Sequence, residues 1–402
     1  MDDQGVKRLD LGQHRVRPAA ETFERVWRER TRFGVTRIAN VTGLDRIGIP
    51  VTLAIRPDAR SVAVSQGKGI DLAAARASGL MEAVELWHAE RPRADLRFGT
   101  YERLAEAEPV VDIAALPVLE RGGDRAHEPM LWARGHDLEE GRPVLVPFEM
   151  VHADYCEPGY PGHGLYPAST NGLASGGHRL EAILHGLYEV VERDAISLFF
   201  GSGNAVRAAR RVDLSSVDGM RALPLLARYE EANIPIAVWD ITSDLGLATF
   251  YAAIGGAGGD GHVGIGSGTH LDRDAALARA LTEAAQTRLT YVTGSRDDLA
   301  GDEFEDAGRA EKVAMVEHLR GAGGGARRFR DAPDRVNETL AADLDAVLAR
   351  FRDAGLPVPV AVDLGLPDSG IHVARIVAPG LEAPHDDPGY VPGPRAEAGL
   401  CA

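Results

Sequence analysis

Three stretches of the 402-residue chain place ionisable side chains on one face at helical spacing. Ser78, Glu82 and Glu85 stand at i, i+4 and i+7. Glu181, Glu189 and Glu192 stand at i, i+8 and i+11, with His185 between them, and Arg279, Glu283 and Gln286 repeat the i, i+4, i+7 pattern. Like charges so spaced repel by about 0.2–0.5 kcal/mol per pair unless a cation lies between them. A solvated acidic face is the plain reading of any one such helix. The first helix argues otherwise, because Glu82 and Glu85 share a narrow polar stripe with Ser78 and are flanked by Leu80, Met81 and Trp87. A helix apolar on most sides is buried, so its glutamates must face a polar cavity. Carboxylates buried in that number require metal ions or arginines. Hard carboxylate oxygens suit Mg²⁺, which is usually held together with substrate phosphates, and the pattern points to a site for Mg²⁺ and a triphosphate.

Three helices must position these groups. Asp71 is a good N-cap for the Ala-, Leu-, Met- and Glu-rich stretch 72–90; the others run over about 179–200 and 272–292. Strand-like runs lie at 50–55, 61–65, 234–241, 248–254 and 358–364 without strict βαβ alternation, which predicts an α+β fold of helices packed on a mostly antiparallel sheet. The charged or glycine-rich stretches 120–128, 297–312 and 321–335 read as surface loops within one fold, and the Pro- and Gly-rich end from Pro379 reads as extended. Familiar nucleotide motifs are missing. The nearest approach to a Walker A sequence is Gly67-Lys68-Gly69, and the GxGxxG at Gly256, Gly258 and Gly261 is followed by a further strand-like run, so it reads as a hairpin loop. There is no HExxH or GxSxG, and His152, His163 and His178 fit no zinc spacing.

Composition narrows the partners. Acidic residues outnumber basic ones 60 to 44, for a net charge of -16, and the chain lacks the basic footprint of a nucleic-acid binder. No run of apolar residues is long enough for a membrane helix, and Met1 to Asp10 has no signal-peptide core. Cys156 and Cys401 form no CxxC pair, which fits a reducing, cytoplasmic setting.

The blocks 61–90 (SVAVSQGKGIDLAAARASGLMEAVELWHAE), 169–195 (STNGLASGGHRLEAILHGLYEVVERDA) and 279–289 (RALTEAAQTRL) occur in the order found in the YcaO family, which the chain resembles from roughly residue 34 to 300. The resemblance implies an ATP-dependent enzyme with its own nucleotide fold and no P-loop. It divides the chain into an N-terminal extension 1–33, a catalytic domain 34–380 and a tail 381–402. The family's SxxxExxE motif matches Ser78, Glu82 and Glu85; its E…ExxER block matches Glu181, Glu189, Glu192 and Arg193; its RxxxE pair matches Arg279 and Glu283. By that match Glu82, Glu85, Glu181, Glu189 and Glu192 hold Mg²⁺. ATP is bound by these together with Ser78, Lys68, Arg193, Arg279 and Glu283, and Arg193, Arg279 and Glu283 act in catalysis. One position departs: where the family usually has Asn, this chain has Gly177.

Family members activate a peptide backbone amide, giving an azoline, a thioamide or an amidine according to the nucleophile. GQHR (12–15) and ANVTGLDRIGIPV (39–51) are similar to standalone members that form thioamides with a TfuA-like partner. The end, VPGPRAEAGLCA, lacks the Pro-x-Pro-x-Pro terminus common in azoline formers, and no leader-binding domain precedes the YcaO blocks. Thioamide formation on a precursor peptide, with a TfuA-like or leader-binding partner and as a homodimer, is therefore the expectation. Azoline or amidine formation, and a non-catalytic ATP- and peptide-binding scaffold, are the alternatives.

Overall fold

The structure is a computed structural model that describes residues 4–8, 14–120, 123–256, 262–321, 327–383 and 389–398. Gly258, Gly261 and Cys401 lie outside the described residues. Among those described are ten α-helices and three larger sheets. One sheet orders strands Leu96–Gly99, Met130–Asp137, Val360–Asp363, His372–Val377 and Leu173–Gly176, with Pro143–Pro147 also paired to Met130–Asp137. The second joins Arg37–Asn40, Val51–Ile55 and Val64–Lys68, and the third Ile236–Asp240, Ala248–Ile254 and Gly264–His270. Every ladder in these sheets is antiparallel, as the mixed, non-alternating pattern predicts.

The long helices span Leu72–Glu90, Arg179–Gly201 and Arg273–Thr293. Each follows directly on the last strand of a different sheet and packs back upon it. Each start is fixed by a side chain: Asp71 accepts from Ala74 N, His178 Nδ1 from Leu180 N, and Asp272 from Asp274 N and Ala275 N. Helix Leu72–Glu90 is built of strong helix formers and buries residues on all sides, from Ala75 and Leu80 to Val84 and Ala89.

Glycines set how closely helix and strand approach. Gly264, Gly266 and Gly268 alternate along one strand and so share one face. An added Cβ would lie 2.1 Å from Ala284 O at Gly264, 2.3 Å from Ala284 N at Gly266 and 2.2 Å from Ala276 O at Gly268. Helix Arg273–Thr293 therefore rests on bare backbone. The intervening Ser267 and Thr269 point the other way, with consequences for the site.

Several local expectations need correction. The stretch 297–312 is not all loop, since a helix Asp306–Gly321 begins inside it, burying Val316 and Leu319 against the third sheet; its many charges conceal those two apolar anchors. The 61–65 strand lies at Val64–Lys68, because Arg56 N bonds Ala63 O to close the preceding turn. The C-terminal segment is not simply extended: Pro394–Ala398 is a short helix, held by Arg395, which pairs with both Asp194 and Asp244. The glycine-rich segment after Ile254 does join two antiparallel strands, Ala248–Ile254 and Gly264–His270, as a hairpin. Among the described residues no helix is long and apolar enough to cross a membrane.

Candidate active site

A cavity of about 1160 Å³ opens where the three long helices converge, somewhat larger than the usual small-molecule site. Ser78, Glu82, Glu85, Glu181, Glu189, Glu192, Arg193, Arg279, Glu283 and Lys68 all line it. Residues spread over more than two hundred positions of sequence meet because each helix turns its charged stripe inward.

Glu82, Glu85 and Glu192 are each held by a neighbouring strand. Gln66 N donates to Glu82 Oε1 at 3.3 Å, and Ser175 Oγ to Glu85 Oε1 at 2.6 Å. Ser267 Oγ donates to Glu192 Oε1 at 2.7 Å while Thr269 N donates to Glu192 Oε2 at 2.8 Å. The alternation of the glycine strand thus serves both sides, glycines toward one helix and polar groups toward Glu192. Lys68 pairs with Glu283, whose Oε1 also lies 3.2 Å from Ser267 Oγ. Glu181 is placed differently: its oxygens accept from Val16 N at 2.7 Å and Gly177 N at 2.9 Å, so it ties the N-terminal segment to the cavity wall.

Charge crowding is severe. Burial pushes Glu85 up to about 8, aided by Glu82 and Glu189. Burial likewise raises Glu189 to about 7, with Arg193 opposing and Glu192 adding to the rise. Glu82 is raised by burial, and Glu192 by burial and by Glu283. Burial also acts upward on Glu283, but Lys68 outweighs it and holds that group below the usual carboxylate range. Five carboxylates on three helices thus act on one another, with only Lys68 and the arginines to balance them. Among the described residues no three His, Cys, Asp or Glu side chains form a ready-made metal cage. The oxygen-only donor set of the five carboxylates fits Mg²⁺.

Arg279 donates to His185 Nε2 at 2.6 Å. Burial, and then Arg279, drives His185 well below its usual range, so the ring is neutral and serves as acceptor. This contact, and the hydroxyls of Ser175 and Ser267, escape motif reasoning because they come from strands or from between the motif positions. Two arginines carry no motif signal at all. Arg296 lines the cavity near Glu82 while bound to Asp298, and Arg375 acts from the strand His372–Val377. At the departing position, a Cβ on Gly177 would meet only Arg17 Nη1 and Glu181 Oε2, both at 3.6 Å, so the backbone accepts a side chain there. The histidines outside the zinc pattern have structural partners: His152 is buried beside Phe148 and Tyr160, His163 pairs with Glu149, and His178 caps its helix.

The family model described as YcaO cyclodehydratase, ATP- and Mg²⁺-binding, matches residues 66–382. The chain belongs to the YcaO family. An uncharacterized protein of Methanothermobacter thermautotrophicus is 37% identical over 379 residues, 93% of this chain and 96% of that one. A protein from the 3′ region of tfuA in Rhizobium leguminosarum bv. trifolii is 35% identical, covering 93% and 89%. Among solved structures, a YcaO protein from Methanopyrus kandleri bound with AMPPCP and Mg²⁺ superposes with a TM-score of 0.73 at 24% identity, over 94% of this chain and 95% of that one. A heterocyclase in complex with substrate and cofactor gives 0.75 at 23% identity over 94% of this chain, which spans 54% of that larger chain. The Escherichia coli microcin synthetase McbBCD complex, bound to pro-MccB17, shares the fold with a TM-score of 0.61. ATP and Mg²⁺ are thus the cofactors of the YcaO family to which the chain belongs, and the missing Walker A sequence follows from the YcaO fold.

Proposed function

We propose that this YcaO protein uses ATP and Mg²⁺ to activate a peptide backbone amide by phosphorylating its oxygen, and that the product is a thioamide. The observation that carries the activation chemistry is the meeting of five mutually repelling carboxylates with Lys68, Arg193 and Arg279 in one cavity. Glu82, Glu85, Glu189 and Glu192 would hold Mg²⁺, which supplies charge neutralisation at the phosphates. Arg193 and Arg279 face the charge that develops as the amide oxygen takes the γ-phosphoryl group, and His185 keeps Arg279 aimed. Sulfide would add to the amide carbonyl carbon, the resulting oxyanion would take the γ-phosphoryl group of ATP with release of ADP, and inorganic phosphate would then depart with the former carbonyl oxygen as sulfur loses its proton and the C=S bond forms. Glu283, held ionised by Lys68, completes the polar wall. The rest is positioning, the main protein contribution to phosphoryl transfer.

The thioamide assignment rests on the relative in the tfuA region and on the sequence likeness of 12–15 and 39–51 to standalone, TfuA-associated members. A TfuA-like protein and a precursor peptide are the partners it implies, with the chain acting as a homodimer. Co-expression with a precursor peptide and a TfuA-like protein, read by mass spectrometry, tests it. Replacement of oxygen by sulfur is the expected mass change. Loss of water instead would identify an azoline former.

A further inference from the structure

One wall of the cavity is a long segment without regular secondary structure, from Val151 to Asn171, which contributes Asp154, Tyr155, Cys156, Glu157 and His163 to the lining. Ordered loops of that length in compact domains are usually functional. Its two ends meet on a single side chain. Arg375, 2% exposed, donates from Nε to Met150 O at 2.7 Å and from Nη2 to Ser169 O at 2.5 Å. Within the loop, Glu149 gathers Gly164 N, Leu165 N and Tyr166 N at 2.6, 3.1 and 3.0 Å. Arg60 then ties the far side down through Asp154 at 2.7 Å.

Two complementary polar atoms near the same contacts have no partner of their own. Arg375 Nη1, a donor, and Asn171 Oδ1, an acceptor, are both buried without a hydrogen-bond partner. Both residues line a second, small cavity of about 30 Å³, together with Met150 and Ser169. That volume holds one water molecule, and the two unpaired polar atoms give it a donor and an acceptor. Asn171 also lines the main cavity, so it stands between the two. The Arg375 charge also acts on Tyr155 and Glu189.

We propose that Arg375 is a positioning residue: with one water shared with Asn171, it clasps the 151–168 loop into the shape that presents the peptide substrate to the phosphorylation site. The identity of the substrate as a peptide rests on the function proposed above; the clasp itself rests on the geometry. Without Arg375 two carbonyls and the water lose their donor, and the loop opens while the three helices stay in place.

Amide hydrogen exchange of the full chain, with Mg·AMPPCP titration by calorimetry, tests this on Arg375→Met and Arg375→Lys. In Arg375→Met, exchange across 151–170 accelerates at least about tenfold, the scale set by two lost buried hydrogen bonds. Exchange in helix Arg179–Gly201 stays within about threefold, because the helix keeps its own packing while the loop opens. Arg375→Lys, which keeps the charge and can reach one carbonyl, restores part of the protection, whereas loss of a mere core residue would not be rescued by charge. Unchanged loop exchange, or equal acceleration throughout the chain, overturns the proposal. If Arg375→Met does not fold, Asn171→Ala decides, because it removes only the water's acceptor: exchange confined to 167–172 must accelerate, and no change there overturns the clasp. Failure of the wild type to bind Mg·AMPPCP would contradict the proposed function instead, and the loop data would still judge the clasp.

Discussion

Glu192 and Glu283 sit on different helices yet meet at one hydroxyl, that of Ser267, at 2.7 and 3.2 Å. Glu283 Oε1 also accepts from Ser267 N at 3.3 Å, so one residue draws the two carboxylates together. This is a poor arrangement for an empty cavity and a good one for a cation, with Ser267 acting as the outer partner that aims the ligand. Ser267→Ala should therefore weaken Mg²⁺-dependent nucleotide binding about 10–100-fold, the usual effect of losing such a partner. Calorimetry at fixed nucleotide and varied Mg²⁺ measures it, and the melting temperature should change little.

If Glu85 and Glu189 hold Mg²⁺ as proposed, protons and Mg²⁺ compete for the same oxygens. Glu85 near 8 and Glu189 near 7 are raised from 4.5, so the folded protein binds more protons than the unfolded chain in between. Their contribution to stability is full below about 4.5 and is lost as pH rises through 7 and 8. Without ligand, melting temperature should fall from pH 6 to about pH 8.5, across the range in which these groups ionise. With Mg·AMPPCP that fall should shrink or reverse. Binding near neutral pH should also release protons, seen as a heat that depends on buffer ionisation enthalpy.

Close packing of helix on strand is the scaffold's main requirement. Gly266→Ala places a methyl 2.3 Å from Ala284 N and 2.4 Å from Ala280 O, both backbone atoms that cannot swing aside. The change should destabilise the protein by about 1–3 kcal/mol. It should also lower nucleotide affinity, because Glu283 rides on the displaced helix. A neutral Gly266→Ala variant in thermal melts would contradict this packing.

Helix Leu72–Glu90 is anchored at its C-terminal end by Glu90, which is fully buried and bound by Arg56 at 2.5 and 3.0 Å and by Ser61 Oγ at 2.7 Å. Removing one partner of a buried pair leaves an uncompensated charge. Glu90→Ala should lower stability by about 3–5 kcal/mol in denaturant titration, with peptide-mapped exchange locating the loosened region at the Arg56 turn.

Much of this site was readable in the chain because helical spacing is a local property. The 3.6-residue period places Ser78, Glu82 and Glu85 together wherever the helix lies, and an otherwise apolar helix forces that stripe toward a cavity. Asp71, followed by an Ala- and Leu-rich run, likewise marks its own helix start. What spacing cannot convey is which strand faces which helix. Ser175 and Ser267 look like any strand hydroxyls until Glu85 and Glu192 are brought against them, and Arg375 lies some two hundred residues from the carbonyls it binds. The Asp306–Gly321 helix was hidden for a different reason. Its burial rests chiefly on Val316 and Leu319 amid charges, too few apolar positions to set a period.

The central claim is that Glu82 and its neighbours form a Mg²⁺–nucleotide site, and the most direct measurement is calorimetric titration of AMPPCP with and without Mg²⁺ into the wild type and Glu82→Ala. The account predicts Mg²⁺-dependent binding by the wild type, lost or weakened at least about tenfold in Glu82→Ala as for removal of a metal ligand, with both proteins folded. Equal binding by the two proteins, or wild-type binding indifferent to Mg²⁺, would contradict it.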